Sequence, residues 1–224
     1  MSPKTIPKNR FETSQDEAVL QRRFIALALS NPVNRLILER LNLLGVPQCW
    51  LVAGCLYDTV WNAHSGWPAD RFVQDYDIFY FDRRDPSYDA EDRVIKRGQV
   101  LFADLKVPIE IRNQARVHLW YPERFGESYP PLSSTKQGIE RFLIRCTCVG
   151  MRQNGSGDYE IYAPFGLADT FAGQLRPNRT IGSTAAAKMA PSATVAAVLS
   201  VAGAPGRVPT SGPVSRRERP MRFA

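Results

Sequence analysis

"QDYDIFYFD", residues 74–82, sets two aspartates one residue apart inside a run of strand-forming residues. Asp75 and Asp77 flank Tyr76, and Ile78, Phe79, Tyr80 and Phe81 follow. Strand side chains alternate between faces, so the two carboxylates are expected on one face. Like charges held that close repel, and a buried carboxylate without a partner is costly. The stretch therefore demands a counter-charge.

Two further features line up with it. "CWLVAG" (49–54) reads as a short buried strand, and "LYDTVWNAH" (56–64) reads as a helix. Gly54-Cys55 falls at the turn between them. A glycine there lets the backbone approach a phosphate, and a helix start offers N–H groups and a positive dipole. "VPIEIRN" (107–113) alternates Val107, Ile109 and Ile111 with Pro108, Glu110 and Arg112, a strand with Glu110 on its polar side. Three carboxylates on neighbouring strands make an acidic cluster. Mg²⁺ (or Mn²⁺) makes such a cluster tolerable, because hard cations take oxygen ligands and also bridge substrate phosphates. Taken singly, the features read as a common turn, a solvated strand start and a glutamate paired with Arg112 or Arg116. Taken together, in this order, they point to a metal site built from Asp75, Asp77 and Glu110.

The rest of the chain supplies a scaffold. A capping box at Ser14 and Glu17 predicts a first helix with Leu20, Phe24, Leu27 and Ala28 on one side. Asn31, Pro32 and Gly45 predict the cap, first position and end of a second helix. Helices are also expected over "AEDRVIKRGQVLFADL" (90–105), "QARVHLWYPERFG" (114–126, ended by Pro122), "STKQGIERFLIRC" (134–146) and "FGLADTFAG" (165–173). Gly98 weakens the first of these. "CTCVGMR" and "YEIYAP" flank "QNGSGD" and read as a hairpin.

Of 224 residues, 44% are hydrophobic and 23% charged, the balance of an ordinary globular chain. There is no apolar run of membrane-spanning length, and the first residues lack a signal-peptide core, so a cytoplasmic protein is expected. Four cysteines and two histidines are spaced wrongly for zinc. The net charge of +7 is confined to the end of the chain. From Arg176 onward stand eight basic residues and one acid, while the first 175 residues carry 21 of each sign. From Thr180 the composition turns to Ala, Pro, Gly, Ser and Thr, which cannot bury enough apolar surface to offset chain entropy. The expected organisation is one domain over 1–179 and a disordered basic tail over 180–224.

"VAGCLYDTVWN", "DYDIFYFD", "IEIRNQARVHLWY" and "YAPFGLADTFAGQLRPN" resemble a bacterial family of nucleotidyltransferase-like proteins with no assigned substrate. The resemblance spans roughly residues 46–178. It implies the superfamily's α+β palm: a mixed β-sheet flanked by helices, with an h-G-[GS] turn, a D-h-[DE]-h strand and a third carboxylate. By the same resemblance Asp75 and Asp77 would hold Mg²⁺ against the phosphates of an NTP. Glu110 would complete the metal site and help deprotonate an acceptor hydroxyl. Backbone N–H groups of Gly54 and Cys55 would grip the triphosphate. Arg112 and Arg116 would neutralise phosphate charge or bind the acceptor, and His118 would line the site. Cys55 departs from the usual Gly or Ser, and would give a phosphate a weaker hydrogen bond. After Arg179 a low-complexity stretch, with the texture of GC-rich DNA read out of frame, stands where relatives continue with a polar helix.

Two rival functions share these residues. One is a non-catalytic nucleotide-binding regulator on the same fold. The other is a nucleic-acid-binding module using the tail, which has one aromatic, Phe223, and lacks interleaved aromatics for stacking. Truncation after Asn178 is expected to leave the cooperative melt nearly unchanged, because the tail has no pattern able to join a core. Thermal melts of the two chains check this, and a loss of several kcal/mol, about that of deleting a large core side chain, would contradict it.

Overall fold

Five short strands form one sheet in the order β3-β2-β1-β4-β5: β1 is Trp50–Val52, β2 Tyr76–Tyr80, β3 Ile109–Asn113, β4 Gly150–Gln153 and β5 Tyr159–Tyr162. The computed structural model describes residues 10–180, with side chains from residue 16. Beyond Thr180, the expected tail lies outside the described residues. The β2–β3 pair is parallel and the other pairs are antiparallel, so the sheet is mixed. Helices flank it: α1 (Arg10–Ser30), α2 (Pro32–Arg40), α3 (Gly54–His64), α4 (Tyr88–Leu101), α5 (Val117–Phe125), α6 (Thr135–Ile139) and α7 (Ala168–Phe171).

The alternation along the strands separates two faces. Leu51, Ile78, Tyr80, Ile111 and Met151 join Phe24, Ala28, Ile37, Leu38 and Leu56 of the helices in the main core. Trp50, Val52 and Phe79 point the other way and meet Ile139, Phe142 and Cys148 in a smaller cluster. Asn31 caps α2 by accepting from the N–H of Val33 at 2.9 Å. Its amide also donates to the Tyr76 hydroxyl at 3.2 Å. Asn34, fully buried, donates to the Cys55 carbonyl at 2.8 Å. One short helix thus ties the start of β2 to the start of α3.

Several boundaries differ from the sequence expectations, each for a local reason. The first helix has already begun at Arg10, so Ser14 lies within it. Asp75 precedes β2 rather than opening it. Gly98 sits inside α4 because the helix lies close on β3: a Cβ there would overlap the tip of Ile111. Pro122 does not end α5, which runs to Phe125 and stops at Gly126 with φ +71°. The α6 helix stops at Ile139, well short of Cys146. Its continuation is claimed by the chain's last described segment. Ile144 pairs with Pro177, and the N–H of Asn178 donates to the Leu143 carbonyl at 2.7 Å. The buried amide of Asn178 donates to the carbonyls of Glu140 at 2.6 Å and Phe142 at 2.8 Å.

Those two carbonyls fix the expected effect of removing the amide. Asn178→Ala removes this donor from both and leaves the Phe142 carbonyl only the weak Cys148 thiol at 3.5 Å, at a cost of about 1–3 kcal/mol. The midpoint of chemical denaturation should fall accordingly. A change under about 0.5 kcal/mol would show that water replaces the amide.

Candidate active site

The carboxylates meet where β2 lies between β1 and β3. Asp77 stands opposite Val52 on one side and Glu110 on the other. Neighbouring strands lie about 5 Å apart, so this row brings Asp77 and Glu110 side by side on the face opposite the main core. Asp75 enters the same cluster from the loop before β2, and its charge acts on Asp77. Arg112 lies on the same strand as Glu110 and donates to its Oε2 at 3.2 Å.

The β1–α3 turn closes the site. Val52 leads into Ala53, which adopts φ +61° and ψ −131°, a backbone region unfavourable for residues with a side chain. The N–H of Ala53 donates to the Val149 carbonyl at 3.1 Å, and its carbonyl accepts from Leu56 at 3.0 Å. The strain swings the chain at once from strand into helix, so α3 begins beside Asp77. Gly54 opens the helix. A Cβ on it would sit in open contact distance, 3.7 Å from the Tyr57 hydroxyl and 3.8 Å from Asp58 Oδ2. The protein therefore leaves room at Gly54 that a side chain would fill.

No sequence motif marks Asp58 or Tyr57, yet both belong to this cluster. Asp58 lies four residues after Gly54, one turn along the same helix face. That spacing is the signal that could have found it. Burial, then repulsion from Asp75, pushes the Asp58 carboxyl up to about 7. Burial raises Tyr57 strongly, with Asp58 and Asp77 adding to the effect. Asp77 is pushed up to about 8, first by burial, then by Asp75 and Glu110, against a weaker pull from Arg112. Burial also raises Asp75.

Other expected site residues are placed elsewhere. The Cys55 side chain turns into the main core, where its Sγ donates to the Val52 carbonyl at 3.5 Å. Its thiol therefore cannot reach a phosphate, and only its backbone N–H remains at the helix start. Arg116 forms an ion pair with Glu91, itself buried, and donates to the Pro86 carbonyl at 3.1 Å. Its guanidinium holds α4 to the end of β3. His118 sits on the first turn of α5, past the far end of β3 from Glu110, and its Nδ1 is buried without a hydrogen-bond partner. Asn113 joins the ends of β2 and β3. Its side-chain amide accepts from the Asp82 N–H at 3.0 Å and donates to the Asp82 carbonyl at 2.8 Å.

Among the described residues, no three His, Cys, Asp or Glu side chains form a ready-made metal cage. The donor chemistry still fits a hard cation. The cluster is all carboxylate, with the raised affinities for protons that unneutralised, buried anions show. Mg²⁺ typically takes one or two carboxylates plus substrate phosphates rather than a full protein cage.

The same shifts predict how stability varies with pH. Asp77 titrates near 3.8 when unfolded and near 8 when folded. Between those values the folded chain holds a proton that the unfolded chain has released. The contribution of Asp77 to stability is therefore full below about pH 4 and is lost as pH rises towards 8, by at most about 1.4 kcal/mol per pH unit. Asp58 acts in the same direction up to about 7. In the absence of metal, Asp77→Asn should melt with a flatter pH dependence than wild type from pH 5 to 8. Parallel curves for the two proteins would contradict the burial of this carboxylate.

The architecture and the sequence agree with known proteins. The sequence model of a family described as nucleotidyltransferase matches residues 39–195, wider at both ends than the stretch of resemblance read from the sequence. A solved NMR structure described as revealing a CCA-adding enzyme head domain is similar at a TM-score of 0.59 and 26% identity, over 70% of this chain and 78% of that one. No curated protein matches. No described helix is long and apolar enough to cross a membrane. With most of its length matched and the strand–turn–helix and D-x-D strand in register, the chain belongs to the nucleotidyltransferase family.

Proposed function

We propose that the chain moves a nucleoside monophosphate from an NTP to a hydroxyl acceptor with Mg²⁺ or Mn²⁺ present. The observation that carries this reading is the row Glu110–Asp77–Val52, with the start of α3 at its end. Backbone N–H groups of Gly54 and Cys55 receive the triphosphate, where the helix dipole favours negative charge. Asp75 and Asp77 hold the cation, and Glu110 lies beside them across the strand pair. When bound, the cation neutralises carboxylates and phosphate oxygens together and favours in-line displacement. The acceptor oxygen forms a bond to the α-phosphorus, the bond to the β-phosphate oxygen breaks, and pyrophosphate leaves. Glu110 takes the hydroxyl proton. Arg112, already at Glu110, offsets phosphate charge.

Similarity to a head domain described as that of a CCA-adding enzyme supports the transfer chemistry. The even charge of the first 175 residues argues against a long nucleic-acid acceptor held by charge alone. A small alcohol, a protein hydroxyl, an antibiotic-like molecule or a short RNA end remain acceptor classes. One observation favours the non-catalytic alternative: Glu110 is engaged by Arg112.

Incubation with α-labelled NTPs and Mg²⁺ or Mn²⁺ in cell extract separates these readings. Label should pass to an acceptor, and Asp77→Asn should reduce transfer more than about 100-fold, beyond the loss from disturbing a supporting partner alone. Thermal stabilisation by Mg²⁺ and NTP without any transfer would favour the regulator. Equal stabilisation of wild type and Asp77→Asn would refute the metal site.

A further inference from the structure

The loop between α3 and β2 carries a strain that the carboxylate cluster does not require. Phe72 has φ +65°, yet the residue is 53% exposed. A bulky residue is an outlier in that conformation, which glycine or asparagine would adopt at lower cost. The loop is also firmly anchored. The buried amide of Asn62 donates to the carbonyls of Ala69 at 3.1 Å and Arg71 at 2.7 Å. The N–H of Trp67 donates to the Asn62 carbonyl at 2.9 Å, and Val73 packs against the main core. What this held loop displays is aromatic and cationic. The Arg71 guanidinium lies 4.8 Å from the ring centres of both Trp67 and Phe72, whose rings meet edge-on at 5.3 Å.

Its position relates it to the nucleotide site. Gly54, Asp58 and Asn62 recur every four residues on α3, so they follow one another along one helix face at steps of about 6 Å. Gly54 marks the phosphate end beside Asp77. Asp58 lies one turn on, where the charge of Asp75 acts on it. Asn62 holds the loop one turn further. Phe72 stands three residues before Asp75, a reach of at most about 11 Å of chain. A triphosphate seated at Gly54, with its sugar passing Asp58 and Asp75, would bring its base to this loop.

We propose that the Trp67–Arg71–Phe72 cluster is the stacking platform for the base of the nucleoside triphosphate. The proposal rests on the nucleotide reading above and deepens it. Aromatic rings and guanidinium planes both accept the face of any base, so the platform grips purines and pyrimidines alike. The strained conformation of Phe72 keeps its side chain outward, where packing among the described residues leaves it half exposed.

Calorimetric titration of the full chain with ATP and with inorganic tripolyphosphate, both with Mg²⁺, tests this. Wild type should bind ATP more tightly than tripolyphosphate. Phe72→Gly should weaken ATP about five- to 150-fold and leave tripolyphosphate unchanged. Phe72→Trp should retain wild-type affinity for both. Without ligand, Phe72→Gly should melt no lower than wild type, because glycine relieves the positive φ. Equal binding of ATP and tripolyphosphate by wild type would overturn the platform alone. So would an equal loss of both in Phe72→Gly, or a melt several degrees lower, since either marks a loop that serves only folding. Failure of wild type to bind either compound would overturn the nucleotide reading, and the platform with it.

Discussion

Placing β2 between β1 and β3 in one register is the constraint on which the site depends. It sets Asp77 opposite Val52 and Glu110 in a single row. A slip of one residue would turn Asp77 into the main core and expose Ile78 in its place. Ile78, Tyr80 and Ile111 bury the opposite face and hold that register. The hydrophobic pattern thus forces together carboxylates that repel. Asp77 responds by holding its proton more tightly, and Arg112 only partly offsets the crowding. An unfavourable electrostatic arrangement is maintained by favourable packing on the reverse side of the same strands.

Buried polar side chains keep the irregular connections in place around this row. Asn34 meets the first turn of α3, Asn62 the loop before Asp75, Asn113 the ends of β2 and β3, and Asn178 the turn after α6. Asn62, Asn113 and Asn178 satisfy backbone groups that turns leave without a helix or sheet partner, which a buried segment must do. The ion pair of Glu91 and Arg116 belongs with them. Glu91 also accepts from the Asn113 N–H at 2.8 Å, so α4 and β3 are joined by charge and by hydrogen bond together. Among the described residues, Gln48, Ala53, Phe72 and Lys106 are the non-glycine positions at positive φ; Ala53 and Phe72 lie at the two ends of the path that leads from β1 through α3 towards β2.

How much of this was legible in the sequence depends on the range of the interaction concerned. Short-range chemistry was readable: the Asn31-Pro32 cap, the apolar run of β1, the alternation in β3, the hairpin after Cys148 and the order turn, D-x-D strand, third carboxylate. Each is set by residues within a few positions of one another, so period and turn chemistry suffice. The tertiary structure alone decided where side chains at equal sequence merit are sent. Cys55 turns inward because α3 packs on the main core, and Arg116 goes to Glu91 because α4 crosses the end of β3. Asp58 joins the acidic cluster only because β2 returns beside the helix that carries it. The α6 helix ends early because Asn178, 36 and 38 positions away, takes the carbonyls of Phe142 and Glu140 that follow it. None of these outcomes follows from local propensity, since each is settled by which distant group reaches a buried atom first at bonding distance.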